Sequence, residues 1–279
     1  MPHLRRTYLV PAELEDDFAA EMWAAGTVGV EIGKGPDGRV RIDAYFPAGA
    51  PGIEVAGWHG VVPAGEETVP ETDWLAAYRE RAQPFAVGRT LWVDPREPED
   101  AVEPAPDGRR LLRLPARGAF GIGSHESTRL AIEMLEELEV AGLDVLDVGT
   151  GTGILAFVAL MRGARSATGY DNDPAAPFYA RDNARRNGFG VRLFAGPAAA
   201  LKARARFDLA LANVVPEQVL PDLPAIAALL APGGGMVLSG ILRERGEEML
   251  AAIAGLGFAE RARRADGEWI AFHVAQGAP

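Results

Sequence analysis

The stretch DVLDVGTGTGIL at residues 144–155 constrains this chain more than any other part of it. A short apolar strand runs into three alternate glycines, Gly149, Gly151 and Gly153, and then into the helical pattern TGILAFVALMRGA. Glycine supplies the left-handed backbone and the close approach that a tight strand-to-helix turn needs. From about residue 120 onward this alternation recurs. TRLAIEMLEELE reads as an amphipathic helix, SATGYD as a strand, and DPAAPFYARDNARRNG as a helix with Asp173 as its cap and Pro174 at its first position. VRLFAG, FDLALANV and GMVLSGIL read as further strands, with PDLPAIAALLAPGG and ERGEEMLAAIAGLG as the helices around the last of them. Alternating strands and helices predict an α/β fold built on a parallel, doubly wound sheet, with its ligand at the carboxyl ends of the strands. The closing segment FAERARRADGEWIAFHVA gives two strands about an Asp-Gly turn, an antiparallel hairpin at the sheet edge.

The beginning of the chain follows another pattern. RRTYLV reads as a strand, AELEDDFAAEMWAAG as a helix, and TVGVEIG and RVRIDAYFP as two strands around the turn KGPDG, which makes a small α+β unit. A Gly- and Pro-rich stretch, AGAPGIEVAGWHGVVPAGEETVPETD, reads as loose chain. It ends in the short helix WLAAYRERAQPF, with Asp73 as cap and Trp74, Leu75 and Tyr78 on one side. RTLWVDP and RRLLRLPA are strands about an exposed acidic loop. The expected organisation is an N-terminal α+β unit over 1–62, a linker with a short helix over 63–88, and the α/β domain over 89–279.

Composition narrows the partners. Asp and Glu number 39 against 28 Lys and Arg, a net charge of -11, which repels phosphate backbones and anionic lipid and suits a cationic protein. Nucleic acid and membrane are therefore not expected partners. The chain has no cysteine, which removes disulfides, zinc-thiolate sites and thiol nucleophiles together, and its four scattered histidines make no metal cluster. No metal is expected. The start of the chain turns acidic before any apolar leader, and no apolar run approaches the ~20 residues of a membrane span, so a cytoplasmic protein is expected.

Twenty-two residues after Gly149, Asp171 closes the next strand in ATGYDND. A carboxylate at that point accepts hydrogen bonds from the vicinal hydroxyls of a ribose, so a nucleoside-containing cofactor is implied. Gly151, Gly153 and Ala156 satisfy the loose dinucleotide fingerprint, which keeps an NAD-dependent oxidoreductase as an alternative. Three features point to S-adenosylmethionine instead. Asp147 stands two residues before the first glycine, FDLALANV ends its strand on the polar Asn213, and LLAPGGGMVLSG leads to a terminal hairpin. No Lys or Arg lies between residues 143 and 161, as suits a cationic sulfonium with no pyrophosphate.

A second glycine-rich segment, GAFGIGSHESTRLA at 118–131, enters a helix that Ser124 and Ser127 are placed to cap. His125 and Glu126 add titratable groups, and the segment reads either as a plain capped helix start or as a loop that folds over the cofactor. Asn213 is the expected group for orienting a methyl acceptor, with His125 and Glu126 as proton acceptors or hydrogen-bonding supports.

GAFGIGSHESTRLA, DVLDVGTGTGILA, GYDNDP, DNARRNG, LALANV and LSGIL, in that order, resemble the PrmA family, the bacterial methyltransferases of ribosomal large-subunit protein eleven. TDWLAAYRERAQPF is similar to the family's Trp-containing linker helix, and GEWIAFHVA to its closing strand. The resemblance implies a ferredoxin-like N-terminal domain that grips the protein substrate and a Rossmann-like class I methyltransferase domain. It also implies methylation of lysine and N-terminal amino groups, with cofactor contacts at Thr128, Gly149, Asp171 and Asn213; Gly151 of the glycine turn is a further expected contact, and a monomer is expected. Ile122 and Ser127 stand where the family usually has threonines. VVPEQ after Asn213 lacks the aromatic found in enzymes that methylate nucleobase or glutamine amides, which argues against those substrates. A lysine methyltransferase acting on another protein, and a binding module without turnover, remain open at this point.

Overall fold

The computed structural model describes residues 3–47, 49–50, 55–69, 83–97, 103–115, 121–201 and 206–277. The chain divides into two compact units, Met1–Arg81 and Ala82–Pro279.

In the first unit, β1 (His3–Val10), β2 (Gly29–Lys34), β3 (Val40–Pro47) and β4 (Val62–Val69) form an antiparallel sheet in the order β2-β3-β1-β4. Helix α1 (Glu15–Ala24) crosses from β1 to β2, with β3 inserted between them. Tyr8 and Val10 of β1 and Ile42, Ala44 and Phe46 of β3 alternate onto one face, where they bury Phe18 and Met22 of α1. That spacing of four residues puts Phe18 and Met22 on one side of the helix. The described part of the β3–β4 connection carries only a one-turn 3-10 helix, Val55–Gly57. Two expectations are corrected here. The stretch read as loose contains β4, and pairing of β4 with β1 carries the first unit past residue 62. The helix expected at WLAAYRERAQPF lies mostly outside the described residues.

The second unit carries a sheet of seven strands: β8 (Asp144–Val148), β9 (Ser166–Asp171), β10 (Val191–Ala195), β11 (Phe207–Asn213), β12 (Leu230–Leu242), β13 (Phe258–Asp266) and β14 (Trp269–Gln276). Their order is β10-β9-β8-β11-β12-β14-β13, parallel through β12 and antiparallel in the terminal hairpin. Successive residues point to opposite faces, so Val145, Leu209, Leu211 and Val237 enter one core while Leu146, Ala210, Met236 and Leu238 enter the other. The first core is closed by α2 (Glu126–Glu137) and α3 (Ile154–Met161), and α4 (Ala176–Arg186) adds Ala184 to it. The second core takes side chains from α5 (Pro216–Val219), α6 (Leu223–Leu229) and α7 (Gly246–Gly255).

A small sheet of β5 (Phe85–Val87), β6 (Leu91–Asp94) and β7 (Arg110–Arg113) joins the first of these cores. The buried Glu136 carboxylate of α2 holds it by accepting from Arg89 N and Thr90 N, each at 2.8 Å, and from Thr90 Oγ1 at 2.5 Å.

Helix boundaries differ from expectation in three places, two starts and one end. Helix α2 is capped by His125, whose Nδ1 accepts from Ser127 N at 3.2 Å, and neither Ser124 nor Ser127 takes that role. Helix α4 begins at Ala176 rather than at Pro174, because Asp173 Oδ1 takes the N–H of Ala175 in a turn just before it. The helix expected over PDLPAIAALLAPGG ends at Leu229, and Leu230 already begins β12.

Candidate active site

The strand order reverses between β8 and β11, and a cleft of about 420 Å³ opens there at their carboxyl ends. Gly149 and Gly151 of the glycine turn, Asp171 and Asn172 at the end of β9, and Asn213 and Val214 at the end of β11 line it together. Among the described residues, three of those lining it, Asp171, Asp173 and Asp222, are acidic, and none is Lys or Arg. A wall of that charge suits a cationic ligand and opposes a pyrophosphate.

Glycine at position 149 is a packing requirement as well as a conformational one. Its φ is +64°, and a Cβ there would lie 2.6 Å from Val214 Cγ2. Val214 is gripped from behind by β12, where a Cβ on Gly240, at φ +79°, would stand 2.9 Å from Val214 N and 3.0 Å from its carbonyl carbon. The segment following β11 is thereby pressed onto the glycine turn.

The buried Asp147 carboxylate braces that turn from below. Its Oδ2 accepts from Thr150 Oγ1 at 2.8 Å and from Ala156 N at 3.2 Å. Asp147 does not line the cleft. Burial pushes its pKa up to about 7, against hydrogen bonds from Thr150 and Ala156 that lower it. With the folded value above the unfolded one, this group costs stability as pH rises from about 4 to 7, and the cost is constant above that. Relative to the parent, Asp147→Asn is therefore expected to gain about 2–3 kcal/mol of stability as pH rises from 5 to 8. Urea unfolding of both proteins at the two pH values measures this, and a difference that stays the same at both would contradict it.

Asp171 sits at the tip of β9, where Oδ2 accepts from Gly151 N at 2.9 Å and Oδ1 from Asp173 N at 3.0 Å. Each oxygen keeps a lone pair for a ligand hydroxyl. Asn213 sits at the tip of β11 and donates from Nδ2 to Thr128 Oγ1 at 2.9 Å. Its Oδ1 is buried with no hydrogen-bond partner. Beside it, Ser239 Oγ of β12 donates to Ser127 O at 2.7 Å, so the first turn of α2 is tied to the tips of two strands.

The expected site residues thus fall in two groups. Gly149, Gly151, Asp171 and Asn213 share the cleft. Thr128 is fully buried behind Asn213 and meets it through the hydroxyl. His125 does not line the cleft, and its Nδ1 is turned to its own helix while its ring packs edge-on against Trp269 at 4.8 Å. Ile122 packs on the first core, and Gly121 O of the same loop accepts from Thr152 Oγ1 at 2.5 Å. Sequence reading missed Val214, Gly240, Tyr170 and Asp222. Only Tyr170 left a trace, as a large aromatic directly before the acid that closes β9.

This sheet order, with a glycine turn at the reversal and an acid one strand over, defines the Rossmann-like fold of class I methyltransferases. The family model described as ribosomal protein L11 methyltransferase (PrmA) matches residues 55–277. A ribosomal protein L11 methyltransferase of Geobacter metallireducens is 38% identical over 207 residues, which are 74% of this chain and 67% of that protein. One of Pseudomonas aeruginosa is 40% identical over 186 residues, 67% of this chain and 62% of that protein. The chain thus spans about two thirds of the length of these relatives or slightly less. The crystal structure of a ribosomal protein L11 methylase from Lactobacillus delbrueckii subsp. bulgaricus superimposes with a TM-score of 0.63 at 29% identity, covering 70% of this chain and 99% of that one. The chain belongs to the ribosomal protein L11 methyltransferase (PrmA) family.

Proposed function

We propose that this chain methylates amino groups, lysine side chains or an N-terminal amine, of ribosomal protein L11 with S-adenosylmethionine as donor. The observation that carries the reading is the buried, unpartnered Asn213 Oδ1 at the edge of an acidic cleft. The residues fit the donor: the Asp171 oxygens suit a ribose, the glycine turn admits backbone-close contact, and the carboxylates of the wall favour a sulfonium. When bound, S-adenosylmethionine supplies an electrophilic methyl carbon.

The chain's own part is alignment and exclusion of water. A lysine has a reference pKa of about 10.4 and gives up a proton before its lone pair is free. Asn213 Oδ1 accepts a remaining N–H of the amine and aims that lone pair into the cleft. Thr128 fixes the amide so that the oxygen and not the nitrogen faces the amine. Val148 and Val214 give the cleft apolar walls that keep water from competing. Docking of the protein substrate is assigned to the first unit, on the family resemblance. No helix among the described residues is long and apolar enough to cross a membrane.

The test is incubation of the full chain with methyl-labelled S-adenosylmethionine and unmethylated ribosomal protein, followed by mass spectrometry. Label on lysine or N-terminal nitrogens of L11 is expected, and label confined to other proteins, or none at all, would overturn the reading.

A further inference from the structure

The cleft does not end at Asp171. The same cleft is also lined by Tyr170 of β9, Val148 of β8, Val219 at the end of α5 and Asp222 just before α6. Tyr170 is 2% exposed, and its hydroxyl is buried with no hydrogen-bond partner. Its ring is held by stacking on Phe194 at 5.7 Å, so the hydroxyl cannot swing away without breaking that contact. No hydrogen bond or ion pair reaches the Asp222 carboxylate among the described residues. A buried hydroxyl normally has a partner, and a native exception calls for an explanation.

We propose that Tyr170 and Asp222 read the base of the bound cofactor and select a 6-aminopurine over a 6-oxopurine. The inference rests on the cofactor reading above. With the ribose at Asp171 and the glycine turn and Asn213 on one side, the remaining arm of the cleft receives the base. Val148 and Val219 offer it apolar surface. The 6-aminopurine edge presents an exocyclic N–H donor beside a ring-nitrogen acceptor. Asp222 accepts from the first, and the Tyr170 hydroxyl donates to the second. A 6-oxopurine reverses both and sets an acceptor against the carboxylate. Burial, together with the charges of Asp222, Asp147 and Asp171, holds the Tyr170 phenol above its ordinary range, so it stays a donor at neutral pH.

Calorimetric titration of the full chain with S-adenosylhomocysteine and with its 6-oxo analogue, S-inosylhomocysteine, tests this. The parent is expected to prefer the amino form by tenfold or more. Tyr170→Phe and Asp222→Asn are each expected to weaken S-adenosylhomocysteine about tenfold and to bring the ratio toward one. Heat unfolding of Tyr170→Phe, which keeps the ring on Phe194, checks that the fold is retained. A parent that binds both analogues equally, or variants that keep its ratio, overturns the base assignment and leaves the cofactor reading standing. A parent that binds neither analogue overturns both.

Discussion

Asn213→Ala is expected to lower turnover about 100-fold while leaving affinity for S-adenosylhomocysteine within about threefold, because loss of orientation at the reacting atom is costly and loss of ground-state contact is not. The variant removes the Oδ1 that has no partner in the protein and the Nδ2 that donates to Thr128. Thr128 Oγ1 then loses its donor, which adds about 1 kcal/mol of destabilisation without bearing on the chemistry. Single-turnover rates at saturating donor, set beside calorimetric affinity, separate the two effects. Parallel loss of rate and affinity would make Asn213 a cofactor contact and nothing more.

Asp171→Ala should act on the other quantity. Hydrogen bonds to a charged group are worth about 1.5–3 kcal/mol, so losing the acceptor for the ribose is expected to weaken S-adenosylhomocysteine by roughly tenfold to 100-fold. The same carboxylate holds Gly151 N and Asp173 N, so the change also frees the glycine turn on one side. Asp171→Asn separates these roles, since its side-chain oxygen still accepts from one of the two amides while its nitrogen only donates. Full affinity in Asp171→Ala would remove the ribose from this position.

Much of this site was legible because its signals are local. The glycine turn, Asp171 and Asn213 each sit where a strand ends, and strand ends are marked by the change from apolar to polar residues. What escaped was set by partners distant in sequence. Asn213 meets Thr128 across 85 positions, and Gly240 matters only because β12 lies beside β11. Strand β4 was missed for a different reason. VPAGEETV lies on an edge with nearly every side chain exposed, so it carries no alternation of buried and exposed residues to read. At α2, serine propensity suggested the wrong cap. The lone pair of the His125 imidazole took the amide instead, and composition gives no sign of that.

Val214 is wedged between a glycine of the turn and a glycine of β12, with no slack for a methyl group on either. A wall clamped this way is a fixed gauge. On the proposed amine chemistry, each methyl added enlarges the acceptor while Val214, held between Gly149 and Gly240, keeps its place, so accommodating the bulkier product falls to the incoming protein substrate.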